Sequence, residues 1–204
     1  MSKGNIFVVT APSGAGKTTL VAALLAADKN VNLSVSYTTR APREGEVNGK
    51  DYHFVSRDVF EAMIARGEFL ESAEVYGNYY GTSQVWIQEA VAAGKDILLE
   101  IDWQGAQQVR RLFPEAIGVF ILPPSVETLA NRLKGRGKDS DEVIARRMQV
   151  AKEEMSHVDE FTYVIVNEMI DEAVRDIVSI VRCERLRLEK QSTRHAALIS
   201  ELKA

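Results

Sequence analysis

The 204 residues include one cysteine, Cys183, so no intramolecular disulfide can form, and three scattered histidines add no zinc-binding spacing to it. A reducing cytoplasm is the expected compartment. No apolar run is longer than Leu20 to Ala27, which is too short to cross a bilayer, and Met1-Ser2-Lys3-Gly4-Asn5 lacks the charged-then-apolar layout of a signal peptide. Membrane association is not expected. Neither sign of charge dominates: 25 basic residues face 29 acidic ones, and a net charge of -4 gives no overall field for nucleic acid. Any phosphate binding must therefore be local. Internal repeats and low-complexity tracts are also absent. What is there, 46% apolar and 26% charged residues over the length of one large domain, suffices for a full core and excludes global disorder.

Short strand-like runs alternate with helical stretches, the pattern of an α/β protein whose parallel sheet is covered by helices. Near-continuous apolarity predicts a buried strand over Ile6 to Thr10, followed by a glycine-containing loop and a helix from about Lys17 to Ala27. Further core strands are expected at Ile97 to Asp102, Ile117 to Leu122 and Tyr163 to Val166. Pro123-Pro124 stops the third of these four, and Ser125 is placed to cap a helix that reaches about Lys134. Val174, Ile177, Val178 and Val181 give the last predicted helix one core face. Between Val31 and Thr82 the character changes. Alternation at Leu33, Val35 and Tyr37, with Gly77-Asn78 in a hairpin-like context, predicts an inserted, mainly antiparallel piece. Gly135-Arg136-Gly137-Lys138-Asp139-Ser140 is short, polar and glycine-flanked, as a mobile lid should be.

Ala11-Pro12-Ser13-Gly14-Ala15-Gly16-Lys17-Thr18 comes after a strand and opens a helix, the context a P-loop requires. Its backbone N–H groups and the helix N-terminus form an anion cradle, Lys17 reaches the β- and γ-phosphates of a nucleoside triphosphate, and Thr18 offers a hydroxyl to Mg²⁺. Alanine at position 11, where the consensus has glycine, predicts an ordinary backbone conformation there. Such a loop identifies a triphosphate site but not a reaction.

The acceptor is read from residues further along the chain. Arg40 and Arg43 put two guanidinium forks three residues apart beside Pro42, and two forks can clamp one phosphate. Glu100 and Asp102 share a face near the C-terminal end of an apolar strand, the edge at which open α/β sheets bind ligands. We assign Asp102 to the magnesium shell and Glu100 toward the acceptor; the competing role for Asp102 is to cap the next helix, since the chain turns helical after it.

With the P-loop, the segments Ser36 to Arg43, Gly49-Lys50-Asp51-Tyr52, Glu68-Phe69-Leu70-Glu71, Gly77 to Ser83, Leu98 to Gly105, Pro123-Pro124-Ser125, Gly135-Arg136-Gly137 and Ile165-Val166-Asn167 closely resemble guanylate kinase over nearly the whole chain. The resemblance implies a P-loop kinase with a three-layer core (1–30, 84–125 and 155–204), a GMP-binding region (31–83), and a lid with its flanking helices (126–154). It implies phosphorylation of GMP, and of dGMP, by in-line transfer from ATP with Mg²⁺. Carried over by motif, Arg40, Arg43, Tyr52 and Tyr80 hold the GMP phosphate, and Ser36, Glu71, Thr82 and Glu100 surround guanine, whose N1–H and 2-amino group are adjacent donors that one carboxylate, that of Glu71, can accept. Residues Ala11 to Thr19 and Asn167 bind ATP. Lys17, Arg40, Arg132, Arg136 and Arg147 serve catalysis, and Thr18 and Asp102 serve the metal, the latter through water. In some family members serine replaces Thr82 and aspartate replaces Glu100. A protein-binding module of the same fold and a kinase for another nucleoside monophosphate are the competing readings. The intact Lys17-Thr18 pair and the lid arginines oppose the first, and the acceptor motifs oppose the second.

Cys183 is expected to be a small packing residue. His53, His157 and His195 are assigned no chemistry. The C-terminal run with Arg182, Arg185, Arg187, Lys190 and Arg194, interleaved with Glu184 and Glu189, predicts a solvated helix or a contact between like subunits rather than a nucleic-acid surface.

Overall fold

The computed structural model describes residues 3–75, 77–134 and 141–204. In chain order the elements are β1 (Ile6–Thr10), α1 (Lys17–Ala27), β2 (Val31–Leu33), β3 (Tyr37–Thr38), β4 (His53–Phe54), α2 (Arg57–Ala65), β5 (Phe69–Val75), β6 (Asn78–Ser83) and α3 (Gln84–Ala92). Next come β7 (Asp96–Glu100), α4 (Trp103–Leu112), β8 (Ile117–Leu122), α5 (Val126–Lys134), α6 (Asp141–Met155), β9 (Tyr163–Val166), α7 (Ile170–Arg185), α8 (Leu188–Arg194) and α9 (Ala196–Lys203). Strands β2-β7-β1-β8-β9 form a parallel sheet with β1 in the middle. Because side chains alternate across a strand, Phe7 and Val9 join Leu20, Leu24, Ile177 and Val181 under α1 and α7, while Ile6 and Val8 join Ile87, Ile97, Leu99 and Val109 under α3 and α4. Helices on both faces explain why all five residues of β1 are buried and apolar up to Thr10.

The second sheet, β4-β3-β6-β5, lies between β2 and α3 in sequence and is antiparallel except for the short β3–β4 pair. One detail differs from expectation. Val31–Leu33 does not belong to this inserted piece: it pairs in parallel with Asp96 to Leu98 as the edge of the core sheet, and its alternation reflects an edge strand covered on one side. The hairpin context of Gly77-Asn78 is as expected, with β5 and β6 antiparallel, Val75 paired with Asn78, and Gly77 at φ 78°.

One irregularity decides where the inserted sheet points its chemistry. Pairing moves from Phe69–Ser83 to Glu71–Thr82, a bulge that gives β5 an extra residue, and as a result Leu70 and Glu71 are both buried. A bulge re-aims a side chain that strict alternation would send elsewhere.

At the C-terminus, Ala173, Ile177 and Val181 form the buried stripe of α7, with Val174 and Val178 packed beside it. Cys183 lies off that stripe and is exposed, so it is not a packing residue. The chain then continues into α8 and α9, two short helices beyond the helix expected to be last. The Ser125 cap is as expected, its hydroxyl accepting from the Thr128 N–H at 3.0 Å.

Gly81 stands on β6 between Tyr80 and Thr82, and a Cβ there would lie 2.9 Å from both Phe60 and Phe69, whose rings stack at 4.4 Å. Gly81→Ala should destabilise the protein by about 1–3 kcal/mol. Urea unfolding measures this, and an unchanged midpoint would show that the ring pair yields freely.

Candidate active site

The loop from Ala11 to Gly16 leaves the C-terminal end of β1 and enters α1, whose N-terminus carries no side-chain cap and so keeps its N–H groups and positive end available to an anion. Gly14 and Gly16 hold φ of 93° and 95°, which L side chains rarely adopt. A Cβ on Gly16 would also meet Asn167 Nδ2 at 2.4 Å. That amide donates to the Ala15 carbonyl at 2.8 Å, and Arg132 donates to the Ala15 and Asn167 carbonyls at 3.4 and 3.2 Å. Asn167 and Arg132 thus brace the loop, and with Gly14, Gly16, Thr19, Met169 and Ile170 they line a groove beside it. Ala11 is buried behind the loop.

Two donors converge on the Ile101 carbonyl: Lys17 Nζ at 3.3 Å and Thr10 Oγ1 at 3.1 Å. The hydroxyl of Thr18 donates to Glu100 Oε1 at 2.9 Å. Helix α6 reaches the loop from outside, with Arg147 Nη2 donating to Ser13 Oγ at 3.2 Å and the Ser13 N–H donating to Glu154 Oε2 at 3.3 Å. Burial pushes the Glu154 carboxyl up, and the Ser13 bond and the nearby Lys17 charge oppose that shift.

Across from the loop, the inserted sheet presents two polar groups. In the first, Glu71 Oε1 accepts from Thr82 Oγ1 at 2.6 Å, and Thr82 lies 3.3 Å from Ser36 Oγ. The other Glu71 oxygen lies over the start of α4, where a Cβ on Gly105 would approach it to 3.0 Å. Glu71 is only 5% exposed. That burial pushes its carboxyl up to about 7; the Thr82 bond works against the shift and the Asp102 charge adds to it.

The second group is built around Arg40. Its guanidinium lies 5.4 Å from the Tyr52 ring centre, and the Tyr52 and Tyr80 rings are 5.9 Å apart, edge to face. Bonding to Glu46 foremost, and to Tyr80, holds Arg40 charged. Burial raises the Tyr52 hydroxyl, and the charges of Tyr80 and Glu100 nearby raise it further.

The residues singled out from sequence therefore fall into three neighbouring sets: Lys17, Thr18, Arg132, Arg147 and Asn167 at the loop; Ser36, Glu71 and Thr82 in a buried chain; and Arg40, Tyr52 and Tyr80 beside Glu100. Arg43 enters the last set through its backbone N–H, which donates to Glu46. Two placements differ in emphasis. Asp102 Oδ1 accepts from the Gly105 N–H at 2.8 Å and caps α4, so one of its oxygens serves the fold. Glu100, assigned toward the acceptor, also bonds the loop hydroxyl. Arg136 and the stretch from Gly135 to Ser140 lie outside the described residues. Sequence reasoning missed Glu46 and Glu154. The only available signal for Glu154 was its place seven residues after Arg147, on the same helix face.

The parallel core and its phosphate loop define a P-loop phosphotransferase. A sequence model of the guanylate kinase family matches residues 3–184, and the chain belongs to that family. It is 62% identical over 199 residues to the guanylate kinase of Dechloromonas aromatica, with 98% of each chain covered, and 62% identical over 192 residues to that of Aromatoleum aromaticum, with 94% of each covered. The crystal structure of guanylate kinase from Anaplasma phagocytophilum superposes with a TM-score of 0.75 at 36% identity, covering 95% of this chain and 96% of that one.

Glu71 carries a measurable signature. Its folded value of about 7 lies above the usual 4.5, so between these limits the folded state binds more protons than the unfolded one. Stability should fall as pH rises from about 4.5 to about 7 and level off above, a difference on the order of 3 kcal/mol. Carboxyl-carbon NMR of the ligand-free protein should find one glutamate titrating near neutrality, and Glu71→Gln should remove both the resonance and that part of the pH slope. A wild-type protein in which every glutamate titrates below 5 would contradict the burial argument.

Proposed function

We propose that the ATP:GMP phosphotransfer of this family runs here between the Lys17 loop and the Arg40 clamp, converting ATP and GMP to ADP and GDP. The observation that carries this reading is Glu100, which bonds the loop hydroxyl of Thr18 and whose charge reaches Tyr52 on the clamp side, so the two phosphate sites meet at one strand end.

An oxygen of the GMP phosphate attacks the γ-phosphorus of ATP in line, and the bond from that phosphorus to the β-phosphate oxygen breaks. A phosphate monoester has a second pKa of about 6, so the nucleophile arrives deprotonated and no side chain need act as base. Lys17 and the α1 N-terminus hold the triphosphate. Arg132 and Arg147, with Arg136 from the lid, take up charge as it moves between the phosphates. Arg40, Arg43, Tyr52 and Tyr80 orient the acceptor phosphate. Glu71 accepts from guanine N1–H and the 2-amino group, and Ser36, Thr82 and Glu100 complete the pocket. The groove beside Asn167 takes the adenosine portion of ATP. Closure of the lid (126–154) and of the acceptor region over the core excludes water that would otherwise hydrolyse ATP.

Thr18 and Asp102 offer a hydroxyl and a carboxylate, oxygen donors suited to Mg²⁺. They would hold the ion, Asp102 through water. When bound it neutralises charge on the β- and γ-phosphates. Among the described residues no helix is long and apolar enough to cross a membrane.

Lys17→Ala should lower kcat at least about a hundredfold in a coupled assay of ADP formation, because it removes a charge directed at the transferring group. Arg40→Ala and Arg43→Ala should instead raise the KM for GMP about tenfold or more, since a clamp binds ground and transition states alike. Near-normal turnover of the lysine variant would overturn the assignment of the loop, and an unchanged KM would remove that arginine from the clamp.

A further inference from the structure

Glu46 closes a turn begun by Arg43: its N–H donates to the Arg43 carbonyl at 3.1 Å, and Gly45 supplies the φ of 88° that brings the chain around. The turn folds the Glu46 carboxylate back onto the clamp. Oε1 and Oε2 accept from Arg40 Nη2 at 2.8 and 3.0 Å, and Oε2 also accepts from the Arg43 N–H at 2.7 Å. A guanidinium and a backbone amide converging on two oxygens of one anion is also how a phosphate is held. The pair is largely enclosed, with side-chain exposures of 14% for Arg40 and 20% for Glu46.

We propose that the Glu46 carboxylate is the resident counter-anion of the clamp, occupying the donors of Arg40 and Arg43 while the site is empty and giving them up to the acceptor phosphate. The proposal rests on the assignment of Arg40 and Arg43 to that phosphate. A guanidinium has five N–H donors, and here both contacts to Glu46 use Nη2 while Nη1 donates to the Ala41 carbonyl at 2.8 Å. A phosphate dianion brings more charge and a third oxygen, so it displaces a carboxylate that a monoanion or a weakly bound buffer anion would not. Glu46 bonds foremost to Arg40, then to the Arg43 amide, and these contacts hold its carboxyl below the usual range, so it carries its charge at neutral pH. Once displaced, it would face the incoming dianion as a like charge. Glu46 therefore sets a threshold for which anions enter, and it keeps Arg40 extended between turnovers. A side chain that merely orients Arg40 throughout the cycle would have the opposite effect on affinity when its charge is removed.

Glu46→Gln keeps the volume and one acceptor but loses the charge. It should lower the KM for GMP about three- to tenfold, and inorganic phosphate should become a better competitive inhibitor against GMP by a similar factor. Glu46→Asp, which keeps the charge, should not lower the KM. An unchanged or raised KM in Glu46→Gln, or an equal fall in both variants, overturns the proposal. If Arg40→Ala raises the KM while Glu46→Gln leaves it unchanged, the clamp stands and the counter-anion falls; if Arg40→Ala has no effect, both fall.

Discussion

The parallel pairing of β1 with β7 is the constraint on which the site depends. It aligns Val9 with Glu100, so the strand that launches the phosphate loop and the strand that ends in Glu100-Ile101-Asp102 finish together. The Ile101 carbonyl then receives both Thr10 Oγ1 and Lys17 Nζ, which ties the loop and its lysine to the neighbouring strand end. A register slip of one residue would send Glu100 to the opposite face. That slip is opposed by the two apolar clusters above and below β1, since each side chain from Ile6 to Val9 is committed to one of them.

Around this edge the chain accepts local costs to place charge. Glu71 is buried with one strong partner, Thr82, and its raised carboxyl is the consequence. A Cβ at Gly105 would press on the buried Glu71 carboxylate at 3.0 Å and on Ile101 at 3.3 Å, so glycine lets that carboxylate lie close over the first turn of α4. Gly14 and Gly16 take backbone conformations that would strain other residues. These departures cluster at one edge of the sheet, while the core beneath is apolar and regular, as expected where function rather than stability decides the residue.

Much of this was legible from sequence where one signal had a single structural meaning. The apolar run Ile6–Thr10, the two glycines and the Lys17-Thr18 pair could form little but a strand, a phosphate loop and a helix. Ser125 after two prolines likewise announced a capped helix. Legibility failed where meaning depends on partners distant in the chain. The edge strand Val31–Leu33 alternates like the inserted sheet, and only its pairing with β7 assigns it to the core. The bulge at Leu70 turns Glu71 inward without any local mark. Cys183 is small and sits among helical apolar residues, yet the buried stripe passes it by. Asp102 could serve a metal or a helix, and the Gly105 bond shows the second role taken by one oxygen. Glu46 looks like one more surface acid until the turn at Gly45 folds it onto Arg40.

In the proposed reaction one buried carboxylate, that of Glu71 paired with Thr82, reads the acceptor base. The rate of ADP formation by the unmodified protein with GMP, IMP and AMP as acceptors under one set of conditions tests this role. IMP keeps N1–H but lacks the 2-amino group, and AMP offers Glu71 a lone pair and a C–H in place of two donors. The expected kcat/KM falls in the order GMP, IMP, AMP, with AMP lower than GMP by a factor on the order of 10⁴. Equal use of IMP and GMP would contradict the claim, because the base would then be read without the paired donors that Glu71 is placed to accept.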